Sequence, residues 1–204
     1  MENVKNLEVH NKGETFRLIK GALESLGYHI AHAVLNTIEY GNIPQTRERI
    51  YIVGFQRQGD FNRFRFPEKI LLKKSTKDML DRVSSVPQKY FYNGKALFER
   101  IREDVKSEDI VYQWRRIYIR ENKSGVFPTL TANMGSGGHN VPIVKQGDVI
   151  RKITPKECTR IQDFPEEYKI PTDLADSHLY KQFGNSVSVP VVKRIAQNIY
   201  SSLL

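Results

Sequence analysis

Asn42-Ile43-Pro44-Gln45-Thr46-Arg47-Glu48-Arg49-Ile50-Tyr51-Ile52-Val53-Gly54-Phe55 decides how the first part of this chain is read. Proline and the preceding Gly41 punctuate a turn, and the β-branched and aromatic run from Arg49 to Phe55 predicts a strand. Residues two apart in a strand share a face, so Gln45, Arg47 and Arg49 are expected to project together, with Glu48 opposite. Two guanidiniums on one face make a clamp for an anion or a carbonyl. The plainer reading is an exposed strand with charged edge residues. The apolar run that follows argues instead for a strand that is otherwise buried.

Upstream, Phe16, Ile19, Leu23 and Leu26 recur at three- and four-residue spacing. They predict an amphipathic helix from about Gly13 to Leu26, closed by Gly27. Tyr28 to Ile38 reads as a strand, and the turn at 40–44 joins it to the next one. Two strands joined by a short turn suggest an antiparallel edge pair. The expected fold class is therefore α/β, the later part of a larger sheet. After Phe55 the helical period is lost, and short β-like runs alternate with loops to about Val149. Thr154-Pro155-Lys156-Glu157 carries the marks of a helix start, with threonine at the N-cap, proline at N1 and glutamate at N3. That helix is expected to stop before Phe164-Pro165. A last helix is expected from Val189 or Pro190 to Leu204, with Val192, Ile195, Ala196 and Ile199 on one face.

The 204 residues suffice for one ordinary domain or two small ones. Hydrophobic residues make up 39% and charged residues 27%, enough apolar surface for a core. No run approaches the roughly 18 apolar residues that a membrane span needs, and the polar start Met1 to Asn6 does not read as a secretory signal. No membrane partner is expected. The single cysteine, Cys158, cannot form an internal disulfide, which fits a reducing cytoplasm. Mid-helix after Glu157, it reads as a small core residue. A formal charge of +9 favours a polyanionic partner.

Two further stretches carry chemistry. Trp114, Arg115, Arg116, Tyr118, Arg120 and Lys123 interleave aromatics with cations, a mix suited to phosphate and base-edge contacts. Close behind, Phe127 to Pro142 holds Gly135, Gly137 and Gly138, a loop that lets backbone approach something closely. In Gln182-Phe183-Gly184-Asn185-Ser186-Val187, Gly-Asn-Ser is expected to open a helix whose free amides could meet a carboxylate.

These segments, in this order, resemble the carboxy-terminal half of DNA cytosine-5 methyltransferases. Pro44-Gln45-Thr46-Arg47-Glu48-Arg49 is similar to that family's eighth conserved motif. The resemblance implies that Arg49 contacts O2 of a flipped cytosine, that Arg47 helps position the catalytic loop and nearby phosphates, and that Gln45 supports them. Glu2-Asn3-Val4 looks like the sixth motif, which would put Glu2 on the cytosine N3 and N4. Such a carboxyl makes chemical sense, because attack at C6 pushes negative charge into the ring. Thr129-Leu130 matches a pair near the end of the family's target-recognition region. DNA readout is accordingly expected across Trp114 to Asn140, through Trp114, Arg115, Arg116, Arg120, Lys123, Thr129, Leu130, Gly137 and Gly138. Residues 151–165 resemble the ninth motif, which implies a structural role for Arg151, Glu157 and Arg160. Residues 180–187 resemble the tenth, which implies that Asn185 and Ser186 help to bind S-adenosylmethionine.

The resemblance covers only the sixth to tenth motifs. The Phe-x-Gly-x-Gly cofactor turn has no counterpart, nor does the Pro-Cys dipeptide whose thiolate attacks C6. The expectation is an incomplete Rossmann-like methyltransferase sheet with a smaller, mostly β and irregular, target-recognition domain. The expected division is 1–56 for the catalytic part, 57–176 for recognition and 177–204 for a closing segment. Three accounts fit: one half of a split enzyme completed by a second polypeptide, a truncated enzyme, or a DNA-binding module acting alone. Survival of Glu2, Arg47, Arg49, Asn185 and Ser186 favours a share in catalysis. The expected partners are double-stranded DNA and a complementary polypeptide carrying the amino-terminal motifs. The expected setting is a bacterial restriction-modification system, cytoplasmic and held to the nucleoid through DNA.

Overall fold

The computed structural model describes residues 1–122, 124–136 and 140–204. In chain order its strands and helices are β1 (Glu2–Val4), α1 (Glu14–Ser25), β2 (His29–Asn36), α2 (Thr37–Gly41), β3 (Glu48–Phe55), α3 (Gln58–Arg63), α4 (Ala96–Ile101), β4 (Val111–Trp114), β5 (Ile119–Asn122), β6 (Pro142–Gln146), β7 (Val149–Lys152), α5 (Pro155–Ile161), α6 (Asp176–Asn185) and α7 (Val189–Ser202). Two compact units result. One comprises Met1–Asn42, Arg47–Leu71 and Pro190–Leu204, the other Ile43–Thr46 and Leu72–Val189. The change of character after Phe55 is therefore not where the first unit ends, because the chain stays in it to Leu71. Within these 204 residues the second unit is the larger.

The first unit is built on a sheet of order β1-β3-β2, with β3 antiparallel to both neighbours. Its central strand explains why the decisive stretch reads as a continuous apolar run. Ile50 and Ile52 pack on one face with Phe16 of α1 and with Ile30. Tyr51, Val53 and Phe55 pack on the other with Leu35, Phe64, Val191 and Ile195. Both faces are covered, so polar alternation has no place there. β2 stops two residues short of the expected end because Asn36, its last residue and still paired with Glu48, also caps α2, its side chain accepting a hydrogen bond from the Ile38 amide. Gly27, in the left-handed conformation at φ 85°, closes α1 as expected. The stripe of α7 differs from the expected one. Val191, Ile195 and Ser202 are buried, whereas Val192 and Ala196 face outward. Ile195 and Ile199 pack inward as expected, so the buried stripe runs through Val191 and Ile195 to Ile199 and leaves Val192 and Ala196 at its outer edge. Arg194 fastens α7 by donating to the carbonyls of Tyr40 and Glu68.

The second unit holds a four-stranded antiparallel sheet of order β5-β4-β6-β7. One apolar cluster gathers Ile101, Val105, Tyr112, Ile143 and Ile150. A larger one includes Phe91, Phe127, Leu130, Ile153, Ile161, Leu179 and Phe183. Between the strands the chain is irregular, broken by short 3-10 turns. α5 opens on the expected capping box. The Thr154 hydroxyl accepts from the Glu157 amide, and the Glu157 carboxylate accepts from the Thr154 amide. Glu157 also forms a fully buried ion pair with Arg151 at 2.7 Å and accepts from the Asp81 amide. Arg160 ties the same region to Asp81 and to the Met79 carbonyl. This network gives Arg151, Glu157 and Arg160 the structural role implied for them.

Candidate functional site

In the first unit, β1 and β3 bring Glu2 and Arg49 together, and Arg47, just before β3, lies close enough to feel both charges. The strand register sets Glu2 opposite Tyr51 and Val4 opposite Arg49. Glu2 and Arg49 are diagonal neighbours on one face, within reach of long side chains. The Arg49 Nε lies 3.1 Å from Glu2 Oε1, and its Nη1 donates to the Glu48 carbonyl at 2.8 Å. Arg47 is held by its backbone: its amide donates to the Asn36 side chain, and its carbonyl accepts from the Thr37 amide at 3.0 Å. The residue is only 3% exposed. Burial, with the Arg49 charge adding to it, lowers the Arg47 guanidinium to about 10, while Glu2 and Tyr51 pull it back up. At neutral pH it stays a cation. Tyr51 completes the group, its phenol pushed up to about 12 by burial and by the Glu2 charge. The result is a carboxylate acceptor beside two guanidinium donors in a largely desolvated setting, where each charge acts strongly. The arrangement can hold a ligand edge that presents both acceptors and donors.

Gln45 does not join this group. It precedes the strand and is fully buried in the second unit. There its Nε2 donates to the Ile161 carbonyl at 2.9 Å and to the Gln162 side chain, while its Oε1 accepts from the Leu130 amide. The expected alternation fails because regular strand geometry begins only at Glu48.

The second unit gathers Trp114, Arg115, Arg116, Arg120 and Thr129 of the predicted DNA-contact residues around two clefts. Trp114, Arg115, Arg116, Asn133, Ser136 and Asn140 line one. The other includes Gln113, Arg115, Arg120, Asn122, Thr129 and Asn133. The turn between β4 and β5 is closed by the Arg115 amide donating to the Tyr118 carbonyl at 2.9 Å, with Arg116 at φ 68°. Arg100 lies over the Trp114 ring at 4.8 Å and donates to the Ile117 carbonyl, which steadies that turn. Arg115 pairs with the Asn140 side chain. Arg116 and Arg120 are exposed and have no carboxylate partner among the described residues. Thr129 donates to the Thr46 carbonyl. Leu130 is fully buried in the apolar core, so its side chain offers nothing to an outside partner. Its neighbour Thr129 lines a cleft. Lys123, Gly137 and Gly138 lie outside the described residues.

Asn185 and Ser186 close α6 rather than opening a helix. Ser186 is extended at ψ 172°, and its hydroxyl donates back to the Phe183 carbonyl at 2.7 Å. The next helix starts only at Val189. Asn185 is exposed, Ser186 half-buried, and Ser188 buried with its hydroxyl lacking a hydrogen-bond partner among the described residues. Cys158 is fully buried, and burial together with the Glu157 charge pushes its thiol well above the ordinary value. It is a core residue, not a nucleophile. No cluster of His, Cys, Asp and Glu able to hold a metal occurs among the described residues, and none of their helices is long and apolar enough to cross a membrane.

Sequence reasoning named Glu2, Arg47 and Arg49 but missed Tyr51, although it lies two residues after Arg49 and therefore on the same face. It bracketed Asn133 and Asn140 without singling them out, and it missed Gln113.

Over residues 1–201 the chain matches the family described as C-5 cytosine-specific DNA methylase. It is 52% identical over 206 residues to the Type II methyltransferase M.Bsp6I of Bacillus sp. (strain RFL6), covering all of this chain and 65% of that protein. It is 38% identical to the Type II methyltransferase M.SsoII of Shigella sonnei, covering 100% of this chain and 52% of that protein. Among solved structures, the Entamoeba histolytica methyltransferase EhMeth shares the fold. Its TM-score is 0.72 at 19% identity, over 100% of this chain and 62% of that one. The chain thus spans between about half and two-thirds of the length of these relatives. A family match running from Met1 almost to the last residue, with a relative more than half identical, places the chain in the C-5 cytosine-specific DNA methylase family.

Proposed function

We propose that this chain supplies the base-holding and DNA-reading parts of an enzyme that methylates C5 of cytosine in duplex DNA. The observation that carries this reading is the Glu2–Arg49 pair on one sheet face, with the buried Arg47 cation close by. A cytosine presents an acceptor at O2, a ring nitrogen at N3 and a donor at N4. Arg49 suits O2, and the Glu2 carboxyl suits N3 and N4. Reaching that edge requires the base to leave the helical stack. When a nucleophile adds at C6, negative charge moves into the ring. Glu2 then shares a proton with N3, and Arg49 stabilises the charge at O2. Arg47, fixed by its backbone to Asn36 and Thr37, keeps a second cation beside the ring and the adjacent phosphates.

The methyl donor implied by the family is S-adenosylmethionine. The exposed Asn185 amide, with a donor and an acceptor, fits the amino-acid end of such a molecule, and Ser186 lies beside it. These two residues would hold a minor part of it. When bound, S-adenosylmethionine supplies an electrophilic methyl group. The nucleophile cannot be Cys158, which is sealed in the core and held protonated. We assign it to a polypeptide segment outside these 204 residues. The second unit acts as the target-recognition domain. Arg116 and Arg120 meet phosphates there, and the polar lining of the two clefts reads base edges.

The test is transfer of labelled methyl from S-adenosylmethionine to mixed-sequence duplex DNA, by this chain alone and together with a polypeptide carrying the cofactor turn and the Pro-Cys dipeptide. Transfer only in the mixture is expected. The clefts also support a second reading, a DNA-binding module without catalysis. Specific DNA binding with no transfer in either mixture would favour that reading. Transfer by the chain alone would overturn the assignment of the nucleophile.

A further inference from the structure

Asn133 stands on an unusually well-fixed piece of backbone. It belongs to a 3-10 turn, Ala132–Gly135, whose next residue, Met134, is buried in the apolar core. The turn lies directly on α6, backbone to backbone. A Cβ added at Gly135 would collide with the Ser177 carbonyl, and one added at Gly184 would collide with the Thr131 backbone. Glycine at these two positions is what permits the close approach. Further bonds fix the turn: the Met134 amide donates to the Thr131 carbonyl at 3.1 Å, and the Ser136 amide donates to the Asn133 carbonyl at 3.0 Å.

From this support the Asn133 side chain projects outward. It is exposed, and its amide has no partner among the described residues. It lines both clefts, as do Arg115 and Asn140. Asn140 is already committed, its carbonyl accepting from Gln113 and its side chain from Arg115. Asn133 is not. A rigidly mounted carboxamide without a partner, set among exposed arginines, is preorganised for an edge that offers one donor and one acceptor side by side. Adenine presents that pair in the major groove, as N6–H and N7.

We propose that Asn133 is a specificity-determining residue that reads an adenine in the target sequence through N6 and N7. The proposal rests on the reading of the second unit as the DNA-recognition part. The experiment selects duplexes from a randomised library with the full 204-residue chain at one ionic strength, then repeats the selection with Asn133→Ala. An adenine at one position is expected in the wild-type selection and is expected to be lost in the variant. In a second measurement, 7-deazaadenine replaces the selected adenine, which removes the N7 acceptor. Wild-type affinity is expected to fall roughly tenfold, and Asn133→Ala affinity to stay unchanged. If Asn133→Ala keeps the wild-type base preference at every position, the proposal is wrong and the recognition reading stands. Salt-sensitive binding without any base preference in the wild type also overturns it. A wild-type chain that binds no duplex would overturn the recognition reading itself.

Discussion

Arg49 and Glu2 show how a pair of residues 47 positions apart becomes one chemical unit: the antiparallel register of β1 and β3 sets them diagonally on the same face. If Arg49 stabilises charge that develops at O2, its loss should appear in the chemical step. In the complemented enzyme, Arg49→Ala should lower turnover about a hundredfold, the order seen when one preorganised donor is removed. Duplex affinity should change far less. Single-turnover kinetics with a parallel binding titration measures both, and equal losses would refute the role. The buried Arg151–Glu157 pair makes a different prediction. Glu157→Ala leaves a guanidinium uncompensated in the core and should destabilise the chain by about 3–5 kcal/mol in urea unfolding. Replacing both partners with apolar residues of similar volume should recover much of that loss. If the double variant is no better than the single one, the penalty does not come from the stranded charge. Strand alternation and the motif resemblance both point to Arg49, whereas the resemblance alone points to Glu2, and the register of β1 and β3 sets these two side by side. Gln45 was misplaced by carrying that alternation back beyond Glu48, where the backbone is no longer extended in the sheet. A bridge to Phe127 instead takes Gln45 into the second unit.

Elements were legible where their signals were local. The capping box of α5 and the glycine that closes α1 are set by a few neighbouring residues, and both formed as read. Gly-Asn-Ser misled because short polar residues favour helix ends of both kinds. Here α6 stops at Asn185, and the extended Ser186 separates it from α7. In α7 Ile195 and Ile199 face the core as expected, but Val191 takes the place expected for Val192, because the two are equally apolar and only the packing partners decide which one faces in. The 3-10 turns of the second unit leave no periodic trace, so sequence patterning had nothing to detect. Close packing of α6 leads to a paired prediction. Gly184→Ala places a methyl against the Thr131 backbone and should destabilise by about 1–3 kcal/mol, the usual cost of overpacking. Gly21→Ala, in α1 with open space around it, should stabilise by about 0.5–1 kcal/mol through helix propensity. Thermal unfolding of the two variants compares them directly, and a harmless Gly184→Ala would mean that the turn at 132–135 is not seated on α6.

At the scale of the whole chain, the excess of nine positive charges and the chemistry of the clefts make one joint prediction. Cations that contact phosphates release counterions, so log affinity for duplex DNA should fall linearly with log salt. A general excess of charge would spread that dependence thinly over the surface. Exposed arginines without carboxylate partners at the clefts concentrate it instead. Replacing Arg116 and Arg120 together by alanine should therefore reduce the slope by about two, roughly one phosphate for each cation. Arg49→Ala should leave the slope almost unchanged, because Arg49 is engaged with Glu2 and its proposed partner is the extruded base, not a phosphate. The measurement is a titration of one duplex at several salt concentrations with the wild type and both variants. A slope that responds equally to the loss of Arg49 and of the cleft arginines would mean that net charge, and not the clefts, holds the DNA. A slope near zero in the wild type would remove the recognition reading altogether.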